Sequence, residues 1–274
     1  MLNWSSDAGQ TLKAGGKSLE YACWGPAPDT APTLVMLHEG LGSVAMWRDV
    51  PQQLVDATGF GVIAYSRAGY GQSEGITLPR PLDYQTREAE DVLGDVLDAA
   101  GVQHAILLGH SDGATIAAIY AGSVSDMRVR GLILIAPHFF TESSGIAAIK
   151  AAGEAFRDGD LRGKLAGYHA DVDMAFNGWH DVWINPDYAK RWNVADAIDH
   201  LRIPVLAIQG REDAYGTLAQ IEEIESRIYS PVDTAILGDC GHDPFRDQPH
   251  QTLDAIAEFC VRLDRMERVE VNLG

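Results

Sequence analysis

The chain has 274 residues and lacks any apolar run that approaches the length of a membrane-spanning helix, for which about 18 consecutive apolar residues are needed. Its first residues, MLNWSSDAGQTLKAGG, also lack the basic start and apolar segment of a signal peptide. We therefore expect a cytoplasmic protein with no membrane partner.

Positive charge is scarce. Lys and Arg number 21 against 39 Asp and Glu, which gives a formal net charge of −18 at pH 7. A charge of this sign repels the phosphates of nucleic acids and anionic membrane surfaces. The composition is otherwise that of a globular protein, with 46% hydrophobic residues. Nucleic acid is therefore not an expected partner.

Cysteine is also rare and shows no metal-binding spacing. The chain has three cysteines, Cys23, Cys240 and Cys260. An odd number without a C-x-x-C pair argues against a disulfide framework and a zinc site. The segment His38-Glu39-Gly40 does not continue to H-E-x-x-H, because residue 42 is Gly. The glycine-rich segment SRAGYGQS lacks the G-K-[ST] and G-x-G-x-x-G signatures of nucleotide binding. We expect neither a metal nor a cofactor.

Short apolar runs alternate along the chain with longer helical patterns. The runs are continuous rather than alternating, which is typical of strands buried on both faces of a parallel sheet. They are residues 33–38, 61–66, 104–110, 131–137, 203–210 and 233–238. Helices are predicted at 45–58, 86–101, 112–124, 217–228 and 250–265. The alternation indicates an α/β fold with a mostly parallel sheet and right-handed crossovers.

One interval, from about residue 141 to 200, contains no clear strand. It holds helical patterns and many aromatic residues, among them Trp179, Trp183 and Trp192. A linker would be poor in aromatic residues. The interval is therefore predicted to be a folded insertion.

The segment Gly109-His110-Ser111-Asp112-Gly113 is a G-x-S-x-G motif at a predicted strand-to-helix junction. In so tight a turn, side chains two residues on either side of the serine would collide with the backbone, so glycine is required there. The serine is then held in a strained conformation, with its oxygen presented above the sheet and near the positive end of a helix. The motif predicts a nucleophilic Ser111.

A serine hydroxyl needs a base to act as a nucleophile. In open α/β sheets, functional groups collect beyond the carboxyl ends of strands. Two predicted strands downstream of the motif are followed by residues of this kind: Asp213 comes shortly after one strand, and His242 comes shortly after the other. The order Ser, Asp, His is the one found in α/β hydrolases. Other carboxylates lie near these positions, namely Glu212, Asp239 and Asp243, and His110 and His138 also end predicted strands.

These motifs resemble the α/β-hydrolase superfamily over nearly the whole chain, and in particular its capped bacterial esterase-like members. The resemblance is carried by MLHEGLGS (36–43), YSRAGYGQSEG (65–75), GHSDG (109–113), IQGREDAYG (208–216) and GDCGHDPFRDQP (238–249). It implies an eight-stranded sheet, with a core domain of residues 1–140 and 197–274 and a helical cap of residues 141–196 after the sixth strand. It also implies that Ser111 is the nucleophile, His242 the general base and acid, and Asp213 the residue that orients His242.

The tetrahedral intermediate of such a reaction requires hydrogen-bond donors. By the same resemblance, the backbone N–H groups of Asp112 and Gly40 form the oxyanion hole. Relatives commonly have H-G-x-x-G at residues 38–42, whereas this chain has Glu39 in place of the first glycine. A carboxylate there would be repulsive unless paired, so we expect it to pair with a buried polar group or with Arg67, or else to contact the substrate.

The resemblance implies hydrolysis of a carboxylic ester in a small-molecule substrate. His138, Trp179 and Trp183 are candidate substrate contacts and suggest an apolar or aromatic group. The same residues would also serve lactone, thioester, amide or carbon–carbon bond hydrolysis, or cofactor-free haloperoxidase or perhydrolase activity. Epoxide hydrolases and dehalogenases of this fold use an Asp nucleophile, which Ser111 argues against. A non-catalytic ligand sensor and a homodimer are further possibilities.

Overall fold

The computed structural model describes the backbone of residues 2–273 and the side chains of residues 2–267. Within this range eight strands form one sheet. The strands are β1 (Thr11–Ala14), β2 (Lys17–Trp24), β3 (Thr33–Leu37), β4 (Gly61–Tyr65), β5 (Ala105–His110), β6 (Val129–Ile135), β7 (Val205–Gly210) and β8 (Val232–Leu237). Their spatial order is β1-β2-β4-β3-β5-β6-β7-β8.

The sheet is antiparallel at one edge and parallel elsewhere. Strand β2 pairs antiparallel with both β1 and β4, and every other pair is parallel. At its centre, Leu34 of β3 lies opposite Val62 of β4 and Ile106 of β5. The predicted mostly parallel, eight-stranded α/β-hydrolase fold is confirmed.

Helices connect the strands and cover the sheet. The α-helices are α1 (Val50–Thr58), α2 (Tyr84–Arg87), α3 (Gly94–Ala100), α4 (Asp112–Ser123), α5 (Ser143–Asp158), α6 (Leu161–Leu165), α7 (Val172–Trp183), α8 (Pro186–Arg191), α9 (Ala219–Arg227), α10 (Pro244–Asp247) and α11 (Pro249–Leu273). A π-helix, Glu88–Leu93, joins α2 to α3, and 3₁₀ helices span Val44–Trp47 and Ala195–His200.

Both faces of the sheet are buried. Along β3, Val35 and Leu37 join one apolar cluster, which includes residues of α3 and α4. Leu34 and Met36 point to the opposite face and join a second cluster, which includes residues of α1 and α11. Because successive side chains on a strand point to opposite faces, a strand covered on both sides must be apolar at every position. This arrangement explains the continuous apolar runs of the sequence.

The six predicted strands and five predicted helical regions are present, most with ends shifted by a few residues. The region 45–58 consists of a 3₁₀ helix and α1, and the helix predicted over 250–265 extends to Leu273. The region predicted as one helix over 86–101 consists of α2, the π-helix and α3, and it ends at Gly101 with φ 68°. Strands β1 and β2 had no individual prediction. They contain Lys13, Lys17 and Glu20, and they lie where the sheet is antiparallel, so they lack a continuous apolar run.

Four helices, α5 to α8, lie between β6 and β7, where the insertion was predicted. Their aromatic and aliphatic side chains form a third apolar cluster. A single antiparallel bridge between Phe140 and Asn193 holds the two ends of this segment together. That residues 141–196 form a cap domain of their own stays a prediction. In the part of the chain described, no helix combines the length and the apolar character needed to cross a bilayer.

Candidate active site

Ser111 lies at the sharp turn between β5 and α4, with φ 53° and ψ −116°. This positive φ is rare for a residue with a side chain and stores backbone strain. A Cβ atom added at Gly109 would lie 2.3 Å from the carbonyl oxygen of Gly113, and one added at Gly113 would lie 2.0 Å from that of Leu37. Both glycines are therefore required by close backbone contacts, as predicted from the motif.

A chain of hydrogen bonds joins Ser111, His242 and Asp213. The Oγ of Ser111 lies 3.0 Å from Nε2 of His242, and Nδ1 of His242 lies 2.7 Å from Oδ2 of Asp213. The Asp213 side chain is fully buried and accepts further bonds from the side-chain amide of Gln209 and the backbone N–H of Tyr215. Burial alone would raise the pKa of Asp213, but the hydrogen bond and charge of His242 outweigh it, so this pKa lies below its usual value.

The neighbouring carboxylates have other partners. Oε2 of Glu212 accepts a hydrogen bond from the backbone N–H of Cys240 at 2.9 Å. The Asp243 side chain accepts from the backbone N–H of Arg246 at the start of α10. Of the carboxylates considered from the sequence, Asp213 is the one hydrogen-bonded to His242.

Gly40 and Asp112, the predicted oxyanion donors, line the same cavity as Ser111. Asp112 is the first residue of α4, so its N–H has no partner within the helix. The buried Arg67 stabilises the loop that carries Gly40, because its guanidinium donates to the carbonyl oxygens of His38 and Glu39. Both residues therefore lie beside Ser111 in the cavity wall, and that their N–H groups form the oxyanion hole stays a prediction.

The carboxylate of Asp112 anchors two hydrogen-bond chains that reach the inserted helices. Tyr84 of α2 donates to one oxygen and accepts from the indole N–H of Trp183. The side-chain amide of Gln85 donates to the other oxygen and accepts from the hydroxyl of Tyr188. Burial raises the pKa of Asp112, and the charge of Arg67 opposes this shift.

A cavity of about 230 Å³ opens above Ser111. Most of its lining is apolar. The lining residues are Ser111, Asp112, His242, Glu39, Gly40, Leu41, Met46, His138, Ile149, Leu165, Trp179, Trp183 and Tyr215. The predicted substrate contacts Glu39, His138, Trp179 and Trp183 all lie in this wall. Trp192 instead packs against Trp183 and Tyr188.

His138 and Trp179 are two side chains of the cavity wall whose polar atoms lack a hydrogen-bond partner. Among the described residues, no group bonds to the ring nitrogens of His138 or to the indole nitrogen of Trp179. Burial, together with nearby His242, lowers the pKa of His138 to about 3. A neutral imidazole and a free indole N–H are therefore available to a bound molecule.

The expectation that the Glu39 carboxylate pairs with Arg67 is wrong. Arg67 bonds to the backbone carbonyl of Glu39 at 2.9 Å, while the side chain turns the other way, toward Gly42 and His110. The other expected partner, a buried polar group, is represented by His110, whose Nδ1 lies 4.0 Å from Oε2 of Glu39. The loop carbonyls occupy the guanidinium, so the carboxylate is left facing the cavity.

Three residues around the site were not predicted from the sequence as contributors to it. Tyr84 and Gln85 carry no local motif, and their bonds to Asp112 depend on how α2 packs. Tyr215 could have been found, because it follows Asp213 by two residues in the same loop; its ring centroid lies 4.7 Å from that of His242. Over the residues whose side chains are described, no group of three or more His, Cys, Asp or Glu side chains could hold a metal ion.

The sheet order, the strained serine turn and the Ser–His–Asp chain together define a class of proteins. A family model described as the alpha/beta hydrolase fold matches residues 32–162. The sheet and this match together show that the chain has the α/β-hydrolase fold.

Known proteins of several activities are similar to this chain. Epoxide hydrolase B of Mycobacterium tuberculosis is 30% identical over 166 residues, which cover 59% of this chain and 44% of that protein. The chain thus spans less than half the length of this relative. A proline iminopeptidase of Lactobacillus delbrueckii subsp. bulgaricus is 23% identical over 88% of this chain and 93% of that protein.

Among solved structures, a thermophilic esterase from Thermogutta terrifontis superposes with a TM-score of 0.69 at 20% identity, over 93% of this chain and 99% of that one. Identity at this level establishes the shared fold and leaves the substrate open.

Proposed function

We propose that this protein is a serine hydrolase that cleaves a carboxylic ester through an acyl-enzyme on Ser111. The proposal rests on one observation: the hydrogen-bonded chain Ser111–His242–Asp213 ends in a cavity lined mainly by apolar side chains. Such a chain is the arrangement that activates a serine hydroxyl.

In the acylation half, Oγ of Ser111 attacks the ester carbonyl carbon, and its proton passes to Nε2 of His242. Asp213 stabilises the imidazolium that forms and fixes the ring orientation. His242 then gives the proton to the departing alcohol as the carbon–oxygen bond breaks. The oxygen that carries the developing negative charge accepts from the backbone N–H groups of Gly40 and Asp112.

In the deacylation half, water attacks the acyl carbon, and His242 takes a proton from it. The proton moves to Oγ of Ser111 as the acyl–oxygen bond breaks, which restores the free enzyme. The cavity volume of about 230 Å³ favours a small or medium acyl group, and the indoles in its wall favour an apolar or aromatic one.

Amide hydrolysis is the second candidate, because the similarity to a proline iminopeptidase covers most of both chains. Lactone, thioester and carbon–carbon bond hydrolysis and perhydrolysis would use the same Ser111 chemistry. Epoxide opening is not proposed, because Ser111 occupies the position of the nucleophile.

The test is turnover of p-nitrophenyl esters from acetyl to decanoyl, plus benzoyl, by wild type, Ser111→Ala and the surface control Ser143→Ala. We expect hydrolysis by wild type and the control and none by Ser111→Ala, with a chain-length optimum that reports the cavity size. Matched p-nitroanilides measured beside the esters separate the second candidate from the first. Turnover that survives in Ser111→Ala would refute the nucleophile. A folded wild type inactive on all these substrates would favour a lactone or carbon–carbon bond hydrolase of narrow specificity, and after these the ligand-sensor alternative.

A further inference from the structure

Two cavities meet at Glu39. The first is the apolar cavity above Ser111. The second has a volume of about 590 Å³ and adjoins the first, since Glu39, Met46 and Leu165 line both. Its wall carries charged and polar side chains, namely Arg48, Asp49, Lys164, Asp243, Arg246 and His110, beside apolar ones. An apolar acyl group that fills the first cavity would displace water from it, so the second cavity is a source of the water needed for deacylation, with Glu39 at the junction.

The Glu39 carboxylate is well suited to hold a water at this junction. Its side chain is 25% exposed, and its oxygens accept no hydrogen bond from the described residues. The nearest buried cation, Arg67, donates to backbone carbonyls instead. A largely buried carboxylate without donors is costly, and a cavity water would supply the missing hydrogen bond.

His110 supplies a second acceptor beside this carboxylate. Its Nε2 lies 2.7 Å from the backbone carbonyl oxygen of His242. A carbonyl oxygen accepts only, so Nε2 carries the hydrogen, and in the neutral ring Nδ1 is an acceptor. Burial and the neighbouring His242 lower the pKa of His110, while the charges of Glu39 and Asp243 oppose the shift. Neutral His110 thus presents a lone pair toward Glu39.

The spacing of the two acceptors matches one water molecule. Oε2 of Glu39 and Nδ1 of His110 are 4.0 Å apart, too far for a direct hydrogen bond. Two acceptors that share one water lie about 4 to 4.5 Å apart when each hydrogen bond is about 2.8 Å long. A polar contact of this length is commonly bridged by water.

We propose that Glu39 and His110 hold the water that hydrolyses the acyl-enzyme. The inference rests on the proposed function. The held water moves from this position to the acyl carbon of Ser111, and its oxygen forms the new carbon–oxygen bond. One of its protons goes to His242 and then to Oγ of Ser111 as the acyl–Oγ bond breaks, and the acid product leaves. Glu39, the residue in place of a usual glycine, is thereby a catalytic residue for deacylation alone.

Pre-steady-state kinetics with a p-nitrophenyl ester test this assignment, because the p-nitrophenol burst measures acylation and the later linear phase includes deacylation. In Glu39→Leu we expect deacylation to slow by about tenfold or more, while the acylation rate stays near that of wild type. Intact mass spectrometry should then show the acyl-enzyme accumulating. His110→Gln, whose amide still donates to the His242 carbonyl, should slow the same step.

The matched control is Asp49→Asn, which removes another carboxylate of the second cavity and should leave both steps unchanged. Equal loss of acylation and deacylation in Glu39→Leu would overturn the inference, since it would point to a general effect on the loop. An unchanged deacylation rate, measured with the acyl-enzyme formed in advance, would also overturn it. A wild type that forms no acyl-enzyme on Ser111 would instead refute the proposed function.

Discussion

The indole of Trp179 lies so close to Gly40 that a Cβ atom added at Gly40 would come within 2.2 Å of Nε1. This contact joins helix α7 of the insertion to the loop that carries a proposed oxyanion donor. The position of the Gly40 N–H and the position of Trp179 in the cavity wall are therefore coupled through one van der Waals contact.

Gly40→Ala should consequently lower ester turnover. The new methyl group must push either the indole or the loop away, and a displacement of about 1 Å in a catalytic group can cost about 100-fold in rate. The measurement is kcat/KM on the preferred ester, with thermal unfolding as the check on folding. Gly163→Ala is the control, because a Cβ there meets nothing within 4 Å. Wild-type turnover in Gly40→Ala would show that the contact does not position the loop.

Asp213→Asn should reduce kcat by about four orders of magnitude, as loss of the orienting carboxylate does in other catalytic triads. The amide can donate to Nδ1 of His242 and so favour the wrong tautomer. Glu212→Gln is the neighbour to compare, because its side-chain oxygen can still accept from Cys240, and it should keep turnover near wild type. A larger loss in Glu212→Gln than in Asp213→Asn would reassign the carboxylate.

Buried, neutral His138 should make the folded state sensitive to acid. Its pKa falls from 6.5 to about 3 on folding, so between these pH values the unfolded chain binds the extra proton. The stability due to neutral His138 is complete above about pH 6.5 and is lost as the pH falls toward 3. In His138→Gln, the free energy of unfolding should vary less steeply with pH, by up to about 1.4 kcal/mol per pH unit.

Urea unfolding of wild type and His138→Gln at pH 7.0 and at several lower pH values measures this difference. A shared slope would show that His138 is not the group responsible. The pKa of His110 is also lowered. The pH dependence of the free energy of unfolding in His138→Gln should therefore be smaller than in wild type but not absent.

Tyr84→Phe should destabilise the fold. It removes the donor to one oxygen of the buried Asp112 carboxylate and the acceptor of the Trp183 N–H, a loss of about 1–3 kcal/mol in the free energy of unfolding. Tyr229→Phe is a suitable control, because Tyr229 is 90% exposed. The double variant with Trp183→Phe should show a coupling energy of about 0.5 kcal/mol or more; strict additivity would mean that the two side chains act independently.

The sequence predicts those parts of the molecule that depend on local pattern. Apolar runs locate β3 to β7, because burial on both faces dictates every residue of a central strand, and an apolar run also locates the partly exposed edge strand β8. The serine turn is predictable for a related reason, since steric contacts at Gly109 and Gly113 act over only a few residues. Asp213 and His242 follow from the rule that strand ends meet at one edge of a parallel sheet.

Contacts between side chains from distant segments are not predictable in this way. The direction of Glu39 depends on Arg67, which bonds to the loop carbonyls and so leaves the carboxylate without the expected partner. Likewise, the hydrogen bonds from Tyr84 and Gln85 to Asp112 depend on where a short helix packs, and no periodic pattern in the sequence predicts them. Strands β1 and β2 pair antiparallel and carry charged residues, so the signal that located the central strands is weak there.

The bridge between Phe140 and Asn193 has an evolutionary consequence. The bridge joins the two ends of the segment that follows β6 and precedes β7. The residues between Phe140 and Asn193 therefore form a closed loop. Because the entropy of closing a loop grows only slowly with its length, those parts of α5 to α8 that do not contact Gly40, Tyr84 or Gln85 can change in length at a small cost while β6 and β7 keep their register. The cavity wall that these helices supply can therefore change shape, while Ser111, His242 and Asp213 stay in place.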